Sequence, residues 1–150
     1  MNVTRRQTFM LGAGAVAFAT LGSQVSVAFA SPESDKLIAD FTGGKEATAG
    51  KVKLKAPEIA ENGNTVPISF SVESPMTADN HVASVMLLAL GNPGPGVGTF
   101  NFTAMSGEAS ASTRIRLAKT QEIMAIAKMS DGSIFMDKKT VKVTIGGCGG

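Results

Sequence analysis

Three features of the sequence predict an all-β domain. Apolar residues alternate with polar ones in short runs, Gly-, Pro-, Asn- and Asp-rich turns cut those runs at close intervals, and no long amphipathic helix occurs. One short helix comes first. Ser31-Pro32-Glu33 reads as an N-cap, a first-turn proline and an early acid, Leu37, Ile38 and Phe41 follow at helical spacing, and Gly43-Gly44 stops the run.

The strands follow in order. In Lys51-Val52-Lys53-Leu54-Lys55 the lysines share one face and the aliphatics the other, the pattern of a half-buried strand with a solvated basic face. Ile59 ends this region, and Glu61-Asn62-Gly63-Asn64 is a turn. Val66, Ile68, Phe70 and Val72 alternate with Pro67, Ser69, Ser71 and Glu73, and Pro67, which has no N–H to donate, belongs near an edge or a strand start. Val82 to Leu90 is nearly all apolar, as a strand buried on both faces requires, and Asn92-Pro93-Gly94-Pro95-Gly96 breaks it. Phe100 and Phe102 alternate again, as do Ile115 and Leu117 with Arg114 and Arg116. Ile123 to Met129 is a further strand, closed by the Ser130-Asp131-Gly132-Ser133 turn, and Val141, Val143 and Ile145 make the last one. About seven strands with short turns predict an immunoglobulin-like antiparallel β-sandwich over residues 31–145, without the Cys-Trp-Cys marker of antibody domains.

Residues 1–30 read as a leader. Met1 to Arg6 is a short basic start, Phe9 to Phe29 carries no charge, and Ala28-Phe29-Ala30 places small residues for a cut after Ala30. A transmembrane helix is the competing reading of a run near the ~20 residues that span a bilayer; the Gly, Ser, Thr and Gln content favours the leader. Thr4-Arg5-Arg6-Gln7-Thr8-Phe9-Met10 resembles a twin-arginine export signal, with Thr8 where that pattern prefers Phe. This implies a periplasmic protein that folds before export and keeps no stable membrane anchor. Removing Arg5 and Arg6 from the 14 basic residues leaves 12 against 12 acidic ones. A mature chain near neutrality gives no electrostatic reason for a nucleic-acid or anionic-lipid partner.

Cys148 is the single cysteine. An exported chain meets an oxidising compartment, where an unpaired thiol points to intermolecular pairing or to a reactive role. It lies in Gly146-Gly147-Cys148-Gly149-Gly150, directly after the last strand. Four glycines remove every side chain that could fold the segment back, and they keep it thin enough for a narrow site on another protein. Five extended residues reach roughly 17 Å. The arm brings no base or His-Asp set to the thiol, the profile of a covalent carrier with no catalytic residues of its own. The competing reading is a structural or interaction module whose cysteine forms an intermolecular disulfide, although such a staple needs fixed geometry and gains nothing from four glycines.

The Gly146–Gly150 segment resembles the C-terminal arm of the SoxY family of sulfur carriers. The resemblance extends to Ser74-Pro75-Met76-Thr77, Asp79-Asn80-His81-Val82, Asn92-Pro93, Thr113-Arg114-Ile115-Arg116-Leu117-Ala118, Ala127-Lys128-Met129-Ser130-Asp131-Gly132 and Val141-Lys142-Val143-Thr144-Ile145. His81 departs from the aromatic expected there. The resemblance implies a carrier in thiosulfate oxidation, with Cys148 as the covalent attachment point and Gly146, Gly147, Gly149 and Gly150 as a flexible arm. It further implies a SoxZ-like partner subunit, a haem-containing enzyme that joins thiosulfate to the thiol, a sulfate-releasing hydrolase with a dinuclear metal site and, in some organisms, a sulfane dehydrogenase. A disulfide-linked dimer is an expected side state.

Other residues read as structural. His81 is the single histidine, so no histidine cluster offers a metal or haem site, and no resident cofactor is expected. Met76, Met86, Met105, Met124, Met129 and Met136 are scattered without a close pair, which fits packing better than copper binding. Arg114 and Arg116 read as a surface face, with an anion contact as the alternative. Gly94, Gly96 and Gly98 do not lead into a helix, so they form no phosphate loop.

Overall fold

The computed structural model describes residues 31–148; the leader read over residues 1–30, and Gly149 and Gly150, lie outside the described residues. Helix α1 (Pro32–Thr42) begins as its sequence requires. The Ser31 hydroxyl accepts from the Ser34 N–H at 3.2 Å, Pro32 occupies the first turn, and Glu33 and Asp35 place negative charge at the positive end of the helix. Gly43 ends it in the left-handed conformation at φ 66°, where a Cβ would be strained.

Among the described residues nine strands follow: β1 (Thr48–Ala49), β2 (Val52–Lys55), β3 (Ile59–Asn62), β4 (Val66–Val72), β5 (Val82–Ala89), β6 (Gly96–Asn101), β7 (Ala109–Ile115), β8 (Gln121–Met129) and β9 (Ile134–Ile145). They form a sandwich. The larger sheet has the order β1-β9-β8-β5-β6, with β3 also on β9, and the smaller sheet has the order β2-β4-β7. The pairs within the smaller sheet, and β5–β6, β5–β8 and β8–β9 in the larger, are antiparallel, as expected.

Between the sheets lie Val52, Leu54, Val66, Ile68, Phe70 and Val72 from one side and Val85, Leu87, Ala89, Ile123, Ala125, Ala127 and Val141 from the other. Phe70 packs edge-on against Phe100 at 5.2 Å between ring centroids. The opposite face of β5 and β8 is also apolar. Met86, Leu88, Leu90, Met124, Ile126 and Ile134 lie beneath Leu37, Ile38 and Phe41 of α1. This explains the unbroken apolar run from Val85 to Leu90: odd positions fill the sandwich, and Met86, Leu88 and Leu90 meet the helix.

Four details differ from the sequence reading. Strands β1 and β3 are additional, and both run parallel to β9. They are short and mostly exposed, so they join through backbone bonds and lack the alternation that marks a strand. Strand β7 begins at Ala109 and ends at Ile115, because Ala-Ser-Ala-Ser alternates with little apolar contrast; Leu117 is buried in the loop beyond it. Strand β9 begins at Ile134, before the polar Asp137–Thr140 stretch that obscures its periodicity. Within that stretch the Asp137 carboxylate accepts the Leu54 N–H at 2.9 Å, satisfying an amide of edge strand β2.

The β8–β9 turn holds its shape through Asp131, whose Oδ1 accepts from the Ser133 hydroxyl at 2.5 Å and from its N–H at 2.8 Å. These bonds, the hydroxyl first, hold the Asp131 carboxyl below its ordinary value. Their stabilisation is therefore present above the unfolded-state value and is lost as pH falls through the lowered folded value. Ser133→Ala should return Asp131 toward the ordinary carboxylate range in an NMR titration. Leu88→Ala should destabilise the domain by about 2–5 kcal/mol in urea unfolding, since Leu88 is fully buried between sheet and helix.

Candidate functional site

Strand β9 positions the site. Its last residues, Lys142 to Ile145, pass beyond the start of β8 at Gln121, which pairs with Val141. There β9 is held instead by β3, in parallel register from Ile59↔Lys142 to Asn62↔Ile145. The Thr120 hydroxyl supports it by accepting the Val143 N–H at 2.9 Å. Cys148 follows three residues after the strand, as an exposed free thiol.

The base of the arm is docked. Gly63 donates its N–H to the Ile145 carbonyl at 2.7 Å and accepts the Leu117 N–H at 2.8 Å. Gly147 donates its N–H to the Leu117 carbonyl at 2.9 Å, and it is buried. Three segments thus meet edge to edge: the β3–β4 turn, the β7–β8 loop and the start of the arm. The sequence reading expects a flexible arm from Gly146 onward; in the structure Gly146 and Gly147 pack against the domain. Their lack of side chains serves close approach. A Cβ on Gly146 would overlap the Ala118 carbonyl oxygen, and one on Gly147 would stand 2.8 Å from the Gly63 carbonyl oxygen. Gly149 and Gly150 lie outside the described residues.

The β7–β8 loop that receives the arm is itself held by two buried amides. The Gln121 amide nitrogen donates to Asn92 Oδ1 at 2.7 Å and to the Lys119 carbonyl at 3.1 Å, while Gln121 Oε1 accepts the Gly91 N–H at 2.9 Å. Asn92 in turn accepts the Ala118 N–H at 3.0 Å and donates to the Arg116 carbonyl at 2.8 Å. Residues Arg116, Ala118 and Lys119 are therefore fixed from below by side chains of the β5–β6 loop and β8. Sequence reading placed Asn92 and Gly63 in turns and passed over Gln121. A glutamine opening an otherwise apolar strand was the available signal.

His81 sits at the other end of the sandwich, before β5 and beside the β8–β9 turn. Its backbone N–H donates to the Ser130 hydroxyl at 3.1 Å. Its Nδ1 lies 3.0 Å from the Thr77 carbonyl, which can only accept, so Nδ1 carries the proton. The 12-residue β9, roughly 40 Å long, separates this end from Cys148, so the imidazole cannot serve the thiol as a base. Met76, Met86, Met124 and Met129 are buried in packing positions, and Met105 is exposed. Arg114 lines an open groove on the smaller sheet with Lys55, Pro67 and Ser112, and Arg116 is exposed on the loop. Among the described residues, no group of three or more His, Cys, Asp or Glu side chains converges as a metal site.

Comparison with known proteins gives a consistent relation. The family model described as sulfur oxidation protein SoxY matches residues 38–148, ending on Cys148. The solved sulfur carrier protein SoxY from Chlorobium limicola f thiosulfatophilum is similar, with 27% identity and a TM-score of 0.65, covering 77% of this chain and 96% of its own. A superoxide reductase (neelaredoxin) from Ignicoccus hospitalis has 21% identity and a TM-score of 0.56, covering 63% of this chain and 80% of its own. A putative superoxide reductase from Thermotoga maritima has 20% identity and a TM-score of 0.53, covering 69% and 90%. These last two share the fold alone. No curated protein matches the sequence.

The buried amide pair is the support on which this end of the sandwich rests. Asn92→Ala should cost about 1–3 kcal/mol in urea unfolding, because the Ala118 N–H and the Arg116 carbonyl lose their partner.

Proposed function

The chain belongs to the SoxY family of sulfur oxidation proteins, and on that premise we propose that it carries thiosulfate-derived sulfur covalently on Cys148 and presents it to separate enzymes. The observation that supports this most strongly is the setting of the thiol. Cys148 is exposed and unpaired, it stands beyond the end of a rigid strand, and the family match runs to it. A rigid base with a thin thiol-bearing extension suits delivery into sites on other proteins better than catalysis in place.

The chemistry balances on one sulfur atom. Oxidative joining of thiosulfate forms an S–S bond, yielding a cysteine S-thiosulfonate, one proton and two electrons that pass to a haem-containing partner. Hydrolysis of the terminal sulfonate then uses one water and releases sulfate, leaving a persulfide on Cys148. Where a sulfane dehydrogenase is present, the outer sulfur is oxidised and removed in turn. The chain acts as a substrate carrier in these steps, with the redox and hydrolytic centres on its partners. A SoxZ-like subunit completes the working complex.

The leader read over residues 1–30 supports a periplasmic setting reached by twin-arginine export, with a cut after Ala30. The exposed thiol also favours a disulfide-linked pair of chains as a resting or side state.

Intact mass of the mature protein from thiosulfate-grown cells tests the carrier reading. Reducible additions in units of sulfur or thiosulfate should appear on the native chain and vanish in Cys148→Ser. An unmodified mass, or only a disulfide-linked dimer, would favour the structural module instead.

A further inference from the structure

Gly63 occupies a position that the sequence marks only as a turn. Its backbone bonds bind it to Ile145 at the end of β9 and to Leu117 in the loop that accepts the Gly147 N–H. A Cβ at Gly63 would overlap the Leu117 carbonyl oxygen and stand 2.8 Å from the Gly147 nitrogen. None of Gly63, Gly146 and Gly147 has a left-handed φ. Glycine is therefore needed there for close approach of three backbones, rather than for conformation.

We propose that Gly63 is a positioning residue for the Cys148 thiol, acting through Gly147. This rests on the carrier reading above. With Gly147 docked, the thiol-bearing residue is one residue from its anchor, about 3.5 Å of chain; released from Ile145, it would stand at the end of three residues, roughly 10 Å. The notch thus replaces a loose tether by a fixed pivot. It confines the volume the thiol samples and presents it in one direction, which lowers the ordering required when a partner enzyme engages it. Bulk at Gly63 pushes on both the acceptor of the Gly147 N–H and the Gly147 nitrogen itself, so it releases the pivot without touching the arm.

The test uses the mature full-length chain with Gly63→Ala, and Gly98→Ala as a matched control, because a Cβ at Gly98 meets nothing within 4 Å. Loss of one backbone hydrogen bond corresponds to roughly two- to tenfold in the local opening equilibrium. Amide exchange at Gly147 should accelerate by at least that factor in Gly63→Ala, and kcat/KM for oxidative loading of Cys148 with thiosulfate by the haem partner should fall, while Gly98→Ala changes neither. Released Gly147 with unchanged loading would overturn the positioning role, since a purely structural glycine leaves loading by the folded protein intact. If Gly63→Ala does not fold, exchange in the native chain decides: protection of the Gly147 amide at least about tenfold beyond an unstructured glycine supports the notch, and exchange at the unstructured rate overturns it. Exchange is blind to sulfur chemistry. A protected Gly147 in protein that never acquires sulfur adducts would therefore refute the carrier reading alone, whereas an unprotected Gly147 in adduct-bearing protein would refute the notch alone.

Discussion

Two primary amides buried together, those of Asn92 and Gln121, govern the Cys148 end of the molecule. Gln121 is 1% exposed and Asn92 7%, so each must find its partners within the protein. Their 2.7 Å contact leaves the remaining donors and acceptors aimed at the backbone of Gly91, Arg116, Ala118 and Lys119. A loop that would otherwise wander is tied at alternate carbonyl and amide groups. From it the Leu117 carbonyl and Thr120 hydroxyl reach the arm base and β9. The position of the thiol is thus referred, through backbone hydrogen bonds, to a pair of side chains that never contact it. A network of this kind is strong where it is complete and costly where one member is missing.

The sequence was legible where a periodic signal coincided with a strong burial contrast. Val66 to Val72 alternates because one face looks into the sandwich, and Val85 to Leu90 does not because the helix covers its second face. Ser31, Pro32 and Gly43 each act at the helix end their chemistry suits. Strands β1 and β3 were not legible, since they are recruited by the free edge of β9 rather than by their own side chains. The arm was half legible. Its glycines announced a segment without side chains, but the same composition serves a loose tether or a tight backbone junction. Only the meeting of Gly63 with Gly147, more than 80 positions apart in the chain, distinguishes them.

Sandwiches similar to this one occur in superoxide reductases as well as in a sulfur carrier. The shared architecture therefore says little about chemistry, which resides in what a given sequence attaches to it. Here the attachment is the continuation of β9 past its own sheet. The single histidine lies at the far end of the domain, and the exposed thiol stands where the longest strand stops. Family membership and the position of that thiol agree, although neither could be inferred from the sandwich alone.

The cover provided by α1 sets an order of events. An 11-residue helix is marginal in isolation, and the face it needs is assembled from β5, β8 and the first residue of β9. The first described element to leave the ribosome is therefore among the last to become stable, after more than 90 further residues have been made. Until then Leu88, Ile126 and Ile134 lack their lid, and the nascent chain carries an open apolar strip. Synthesis and consolidation run in opposite directions along this polypeptide: its beginning waits for its end.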